Sequence, residues 1–174
     1  MKKNIKKLKI DHGNFMWLLS LTIMLSFIAS VANAQTGKIN FSGSWVLNEA
    51  KSNLGDNGGS RGGGNFVAKQ EANLLTLDRT RTNQDGQTTT TTSKYTLDGK
   101  ESINTTGRGD SKSTAKWSAD GKSLTIVTKF SFDGNEMTST EVWTLPDAKT
   151  VSIAATRKNR DGEDVKTTRV YDKK

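Results

Sequence analysis

From residue 74 onward, apolar and polar side chains alternate in short runs. Across 122–132, Leu124, Ile126, Thr128, Phe130 and Phe132 share one face, and Ser123, Thr125, Val127, Lys129 and Ser131 share the other. Within 149–158 one face carries Val151, Ile153, Ala155 and Arg157; within 74–83 it carries Leu75, Leu77, Arg79 and Arg81. A period of two is the pattern of half-buried antiparallel strands. No stretch after residue 34 carries a helical period.

Turn residues punctuate these runs at near-even intervals. Asp-Gly occurs at Asp85-Gly86, Asp98-Gly99, Asp120-Gly121, Asp133-Gly134 and Asp161-Gly162, joined by breaks at Gly107-Arg108-Gly109-Asp110 and Pro146-Asp147. Asp-Gly between alternating runs signals a hairpin, with both central residues at positive φ in a type I′ turn. Short connections make each strand pair with the next. The expectation is an all-β chain in which an antiparallel up-and-down meander of eight strands fills 74–171. Residues 41–48 and 65–71 add two more, giving eight to ten strands that roll into a barrel and so remove exposed edges. Residues 55–64 are rich in glycine and read as a loop at one mouth of that barrel.

Composition changes the picture at the N-terminus. Lys2, Lys3, Lys6, Lys7 and Lys9 precede an apolar run from Trp17 to Val31, and Ala32-Asn33-Ala34 follows it. That order reads as a secretory signal peptide over 1–34, with a single domain over 35–174. The run is short for a membrane span, which needs about twenty residues, so no span is expected after cleavage. The chain contains no cysteine, hence neither a disulfide nor a lipid-modified cysteine is expected. The leader carries five lysines against one aspartate, so the net charge of +8 falls to +4 on its removal. Charges of both signs are interspersed, unlike the basic stripe of a nucleic-acid binder.

The leader also removes His12, the only histidine. Zinc sites, Ser-His-Asp triads and cysteine nucleophiles then lack their residues, and most aspartates sit in turns where they serve the backbone. No catalysis, metal or cofactor is expected. Gly121-Lys122-Ser123 lacks the upstream glycine of a phosphate loop, where Lys116 stands. Arg108-Gly109-Asp110 reads as a turn.

Gly43-Ser44-Trp45 opens the first mature strand, and Thr168-Arg169-Val170-Tyr171 stands near the end of the chain. Here the sequence resembles the lipocalin and fatty-acid-binding barrels, the calycins. Those families begin with Gly-x-Trp and carry a late arginine that packs against the tryptophan. The resemblance implies that Gly43, Trp45 and Arg169 close one end of the barrel. It also implies that Arg169 and Tyr171 are similar to the pair that holds a carboxylate in fatty-acid-binding barrels. The run Phe41-Ser42-Gly43-Ser44-Trp45-Val46-Leu47-Asn48, then Lys51-Ser52, is similar to small secreted bacterial lipocalin-like proteins. The chain departs from the fatty-acid-binding pattern after the first strand, where two helices give way to the glycine-rich stretch.

Arg79, Arg81, Arg157, Arg169 and Glu141 share inner faces with apolar residues, and an arginine is rarely buried unless paired. They need a partner carboxylate, water or a ligand's anionic group; Glu141, near Met137, Trp143 and Leu145, can itself pair with an arginine. One reading is a barrel that binds a small hydrophobic or anionic amphipathic ligand, with Trp117, Phe130, Phe132, Trp143 and Tyr95 as aromatic walls and Arg79, Arg169 and Tyr171 at a polar end. The other is a filled barrel acting as a structural or interaction module, since eight strands enclose room for only one small ligand. The leader itself makes a direct prediction: intact mass and N-terminal sequencing of the exported protein will show a chain starting at Gln35.

Overall fold

The computed structural model describes residues 37–55, 64–82, 85–106, 109–132, 134–159 and 162–174, without the side chains of Thr106 and Phe132. Residues 1–36, which include the expected leader, and most of the glycine-rich stretch, 56–63, lie outside the described residues.

Ten antiparallel strands form where alternation places them: β1 (Gly43–Leu47), β2 (Phe66–Gln70), β3 (Leu74–Thr82), β4 (Thr88–Thr96), β5 (Glu101–Thr106), β6 (Gly109–Trp117), β7 (Ser123–Phe132), β8 (Asn135–Asp147), β9 (Thr150–Lys158) and β10 (Asp164–Lys173). The described residues contain no α-helix, only a 3₁₀ turn at Glu49–Lys51. The strands make one sheet in the order β4-β3-β2-β1-β10-β9-β8-β7-β6-β5. Sequence neighbours pair side by side except β4 and β5, and β1 pairs with β10 to roll the sheet into a nearly closed barrel.

The glycines of the five Asp-Gly pairs all have φ between 68 and 84°. Two of these turns are not of type I′, however, whereas Phe132 pairs with Asn135 and leaves the expected two-residue loop between them. Gly121 N–H donates to the Ser118 carbonyl at 3.0 Å, and Gly162 N–H to that of Asn159 at 3.2 Å. Gly121 and Gly162 are therefore the fourth residues of their turns, not central ones. At Asp98 and Asp120 the carboxylate accepts from the N–H two residues on, at 3.0 Å in both cases, which favours this geometry.

The closing strands are held by the segment after β1. Asn48 Nδ2 and Lys51 Nζ both donate to the Asp172 carboxylate, at 2.6 and 3.1 Å. Ser52 Oγ accepts from Val170 N–H at 2.9 Å. Asn53 and Thr168 then exchange two backbone hydrogen bonds of 2.8 Å. The Asn48, Lys51 and Ser52 of the sequence pattern are thus the clasp between the barrel's first and last strands.

One end of the barrel is filled. Phe41, Trp45, Phe66, Leu75, Leu124, Trp143, Val151, Ile153 and Tyr171 are all buried there. Phe66 packs edge-on to Tyr171 and Trp143 with ring centroids 4.8 and 5.5 Å away, and Phe41 lies edge-on to Trp143 at 5.6 Å, offset geometries that aromatic pairs prefer. Residues 39–41 cross this end. Ile39 N–H donates to Gly121, and Gln70, at the end of β2, clamps the segment through Ile39 O and Phe41 N, both at 3.0 Å.

Gly43 fits here because it has φ 152°, and a Cβ would lie 2.9 Å from the Lys173 side chain. The cation over Trp45 is Lys173, 5.5 Å from the ring. The expected Arg169 does not take this place. Lys173 is the register partner of Trp45, whereas Arg169 lies four residues along β10, about 13 Å away at strand rise.

The expected β4–β5 hairpin ladder does not form. The amide of Asn104 takes both hydrogen bonds of the Lys94 backbone, 2.7 Å from its N–H and 3.0 Å to its carbonyl, and Ser102 Oγ accepts from Thr96 N–H at 2.9 Å. A carboxamide offers the same donor and acceptor as a peptide group, so two side chains stand in for a strand pairing. Asn104→Ala will leave part-buried backbone groups without partners, at a cost of about 1 kcal/mol. Amide exchange will accelerate first at Lys94, whereas Ile103→Ala, on the exposed face beside it, will change the unfolding free energy by less than about 0.5 kcal/mol.

Candidate functional site

Above the packed floor the inner face turns polar. Arg79 lies two residues beyond the buried Leu77 on β3, Glu141 two residues before the buried Trp143 on β8, and Arg169 two residues before the buried Tyr171 on β10. Strand periodicity points all three inward, at one level of the barrel.

They meet on one carboxylate. Arg169 Nη2 donates to Glu141 Oε1 at 2.6 Å, and Arg79 Nη2 lies 3.9 Å from Oε2. Trp143 Nε1 donates to Oε2 at 3.0 Å. The Arg79 guanidinium also lies over the rings of Phe66 and Trp143, at 5.5 and 5.8 Å, adding cation–π attraction to the ion pair. The cluster carries a formal excess of one positive charge.

Burial alone would raise the Glu141 pKa, but Arg79 and Arg169, with hydrogen bonds from Trp143 and Arg169, hold it below the usual carboxylate range. Burial opposes the charge on Arg79, and the Glu141 carboxylate more than restores it. Tyr95 and Tyr171 are pushed up by burial, against the pull of neighbouring arginines. The Tyr171 hydroxyl faces the Arg79 guanidinium without reaching hydrogen-bond geometry.

These inward-pointing side chains are not sealed. Arg79, Glu141 and Arg169 keep 19, 22 and 12% of their side-chain surface accessible. Further from the floor, the inner-face positions of Phe130, Met137, Arg157 and Val165 are only half-buried, and Arg81 is exposed. The interior is packed below the cluster, and above it the inward positions are half-buried or exposed.

No family model matches the chain, and no curated protein matches it. Among solved structures it is similar to the fluorescent protein UnaG. The wild-type structure shows a TM-score of 0.53 and 19% identity, covering 77% of this chain and 97% of that one. Two point mutants of UnaG match with TM-scores of 0.53 and 0.51, also at 19% identity. The fold is a lipocalin-like (calycin-like) β-barrel.

Within the calycin-like barrel the residues singled out from sequence separate into two groups. Arg79 and Arg169 stand above the packed floor with part of their surface accessible, and Phe130 is half-buried further from it. Trp143 and Tyr171 are fully buried and form the floor beneath the cluster, Trp143 by aiming its N–H at Glu141. Trp117 lies lower, stacked on Phe41 at 5.9 Å with Lys38 5.8 Å from its ring. Gly43 and Trp45 sit at the closed end. The side chain of Phe132 lies outside the described residues. Glu141, noted in the sequence only as a partner for one arginine, is the hub of the cluster. Its position on an inner face between Ser139 and Trp143 was the available signal.

Removing the hub leaves two guanidiniums against each other. Glu141→Gln will cost about 3 kcal/mol at neutral pH, the lower end for a broken buried pair because the cluster is partly open. A depressed carboxylate contributes stability that is present above its unfolded pKa of about 4.3 and lost as pH falls through the lower folded value. Urea midpoints of wild type and variant will therefore be well separated at pH 7 and converge below about pH 4.

Proposed function

We propose that this chain is an exported carrier or receptor that takes up one small, largely apolar ligand through the open end of its barrel. The residual accessibility of Arg79, Glu141 and Arg169 supports this reading, because a solidly filled interior would leave inward side chains with none. A closed floor, apolar upper walls at Phe130 and Met137, and a few convergent polar groups between them make the concave, mainly apolar site that small ligands use. The calycin-like architecture is compatible with it.

The ligand's apolar body lies along Phe130 and Met137, and its polar end reaches down to the cluster. Without histidine or cysteine beyond residue 12, the reading assigns binding and no catalysis. Export rests on the leader over 1–34, and among the described residues no helix is long and apolar enough to cross a membrane.

Titration with N-phenyl-1-naphthylamine, an uncharged probe that fluoresces in apolar surroundings, tests the proposal. The enhancement will saturate at one probe per chain. Phe130→Asp, which places a charge in the wall, will weaken it by about tenfold or more, the equivalent of 1.4 kcal/mol, while far-ultraviolet circular dichroism stays unchanged. A wild-type protein that gives no saturable signal refutes the pocket.

A further inference from the structure

We infer that Glu141 is a built-in counter-ion that sets the barrel's selectivity: it occupies the place between Arg79 and Arg169 that a ligand's anionic group would take, so the barrel selects ligands with an uncharged, hydrogen-bond-donating end, a hydroxyl or a primary amide, over carboxylates. This deepens the carrier reading and rests on it.

Three observations carry the assignment. First, the guanidiniums are already engaged from within: a carboxylate of the chain lies 2.6 Å from Arg169 and 3.9 Å from Arg79. An incoming carboxylate must break a short, charge-assisted bond to reach Arg169, and it approaches the like charge of Glu141 at either guanidinium. Second, the Glu141 carboxylate is held in place. The indole N–H of the fully buried Trp143 fixes Oε2 at 3.0 Å, which keeps the side chain from swinging aside for a competing anion.

Third, Glu141 is at least as accessible as either arginine. An ionised carboxylate has about four lone-pair sites. Arg169, Trp143 and Arg79 approach from the walls and floor, so acceptor capacity remains on the side of the proposed pocket. A hydroxyl or amide N–H arriving there completes the shell. An ammonium would meet the positive excess of the cluster, as well as Arg81 and Arg157 nearer the mouth.

Displacement of N-phenyl-1-naphthylamine from the full exported chain at pH 8 tests this with three ten-carbon competitors: decan-1-ol, decanamide and decanoate. In wild type the alcohol and the amide will displace the probe at concentrations about tenfold or more below decanoate. In Glu141→Gln, decanoate will gain about tenfold or more and overtake them. The double variant Glu141→Gln with Arg79→Met keeps the formal charge excess of wild type while depriving Arg169 of the Glu141 carboxylate. It serves where the single variant does not fold, and it too will gain decanoate affinity.

Decanoate displacement equal to that of the alcohol in wild type, or no decanoate gain in either folded variant, overturns the assignment and leaves the carrier reading intact. A probe that binds neither wild type nor variants overturns the carrier reading itself, and the selectivity with it.

Discussion

The barrel depends on the pairing of its first strand with its last. Apart from β1–β2, which the longer segment 48–65 connects, every other ladder joins strands that a short turn already holds together, so their closure entropy is small. The β1–β10 ladder joins residues more than a hundred positions apart, and without it the chain is an open curved ribbon with two long edges. The clasp around Asp172 and Ser52 reinforces this pairing just where β1 ends. Neither interaction is strong alone, and the Lys51–Asp172 bond is largely exposed. Their effect is to lengthen a short five-residue strand by carrying its pairing on to Asn53.

Closure creates the interior, and the interior has a gradient. Near the floor, aromatic rings fill the space from several strands at once. At the next level the same alternation delivers Arg79, Glu141 and Arg169, and the barrel tolerates them because they satisfy one another. Desolvating these charges is costly, and the aromatic floor reduces that cost by supplying an indole N–H and two ring faces. A buried ion pair of this kind is weak evidence of stability design.

Much of this was legible in the sequence. The period of two placed the strands, including the eight from 74 to 171, and it placed Arg79, Glu141 and Arg169 on inner faces. The Gly43–Trp45 motif marked the closed end. What was not legible depended on three-dimensional register. Lys173, not Arg169, covers Trp45 because pairing across β1 and β10 selects the partner, and alternation along one strand carries no such information. The absence of a β4–β5 ladder was hidden for a different reason. Asn104 and Ser102 are ordinary polar residues in a threonine-rich run, and nothing local distinguishes a side chain that will replace a backbone partner. The arginines were likewise visible as unusual, while their convergence on one carboxylate required knowing which strands face each other across the barrel.

The side-chain seam between β4 and β5 has a topological corollary. Read from β5 around to β4, the sheet follows the sequence without exception, passing from β10 to β1 as though the two ends of the chain were continuous. A rearranged gene that begins at β5, ends at β4 and splices the old C-terminus to residue 37 would therefore encode an uninterrupted meander. Its new ends would fall at the one boundary where no ladder is lost. The barrel's true cut lies at that seam, and the native ends are joined well away from it, by the β1–β10 ladder.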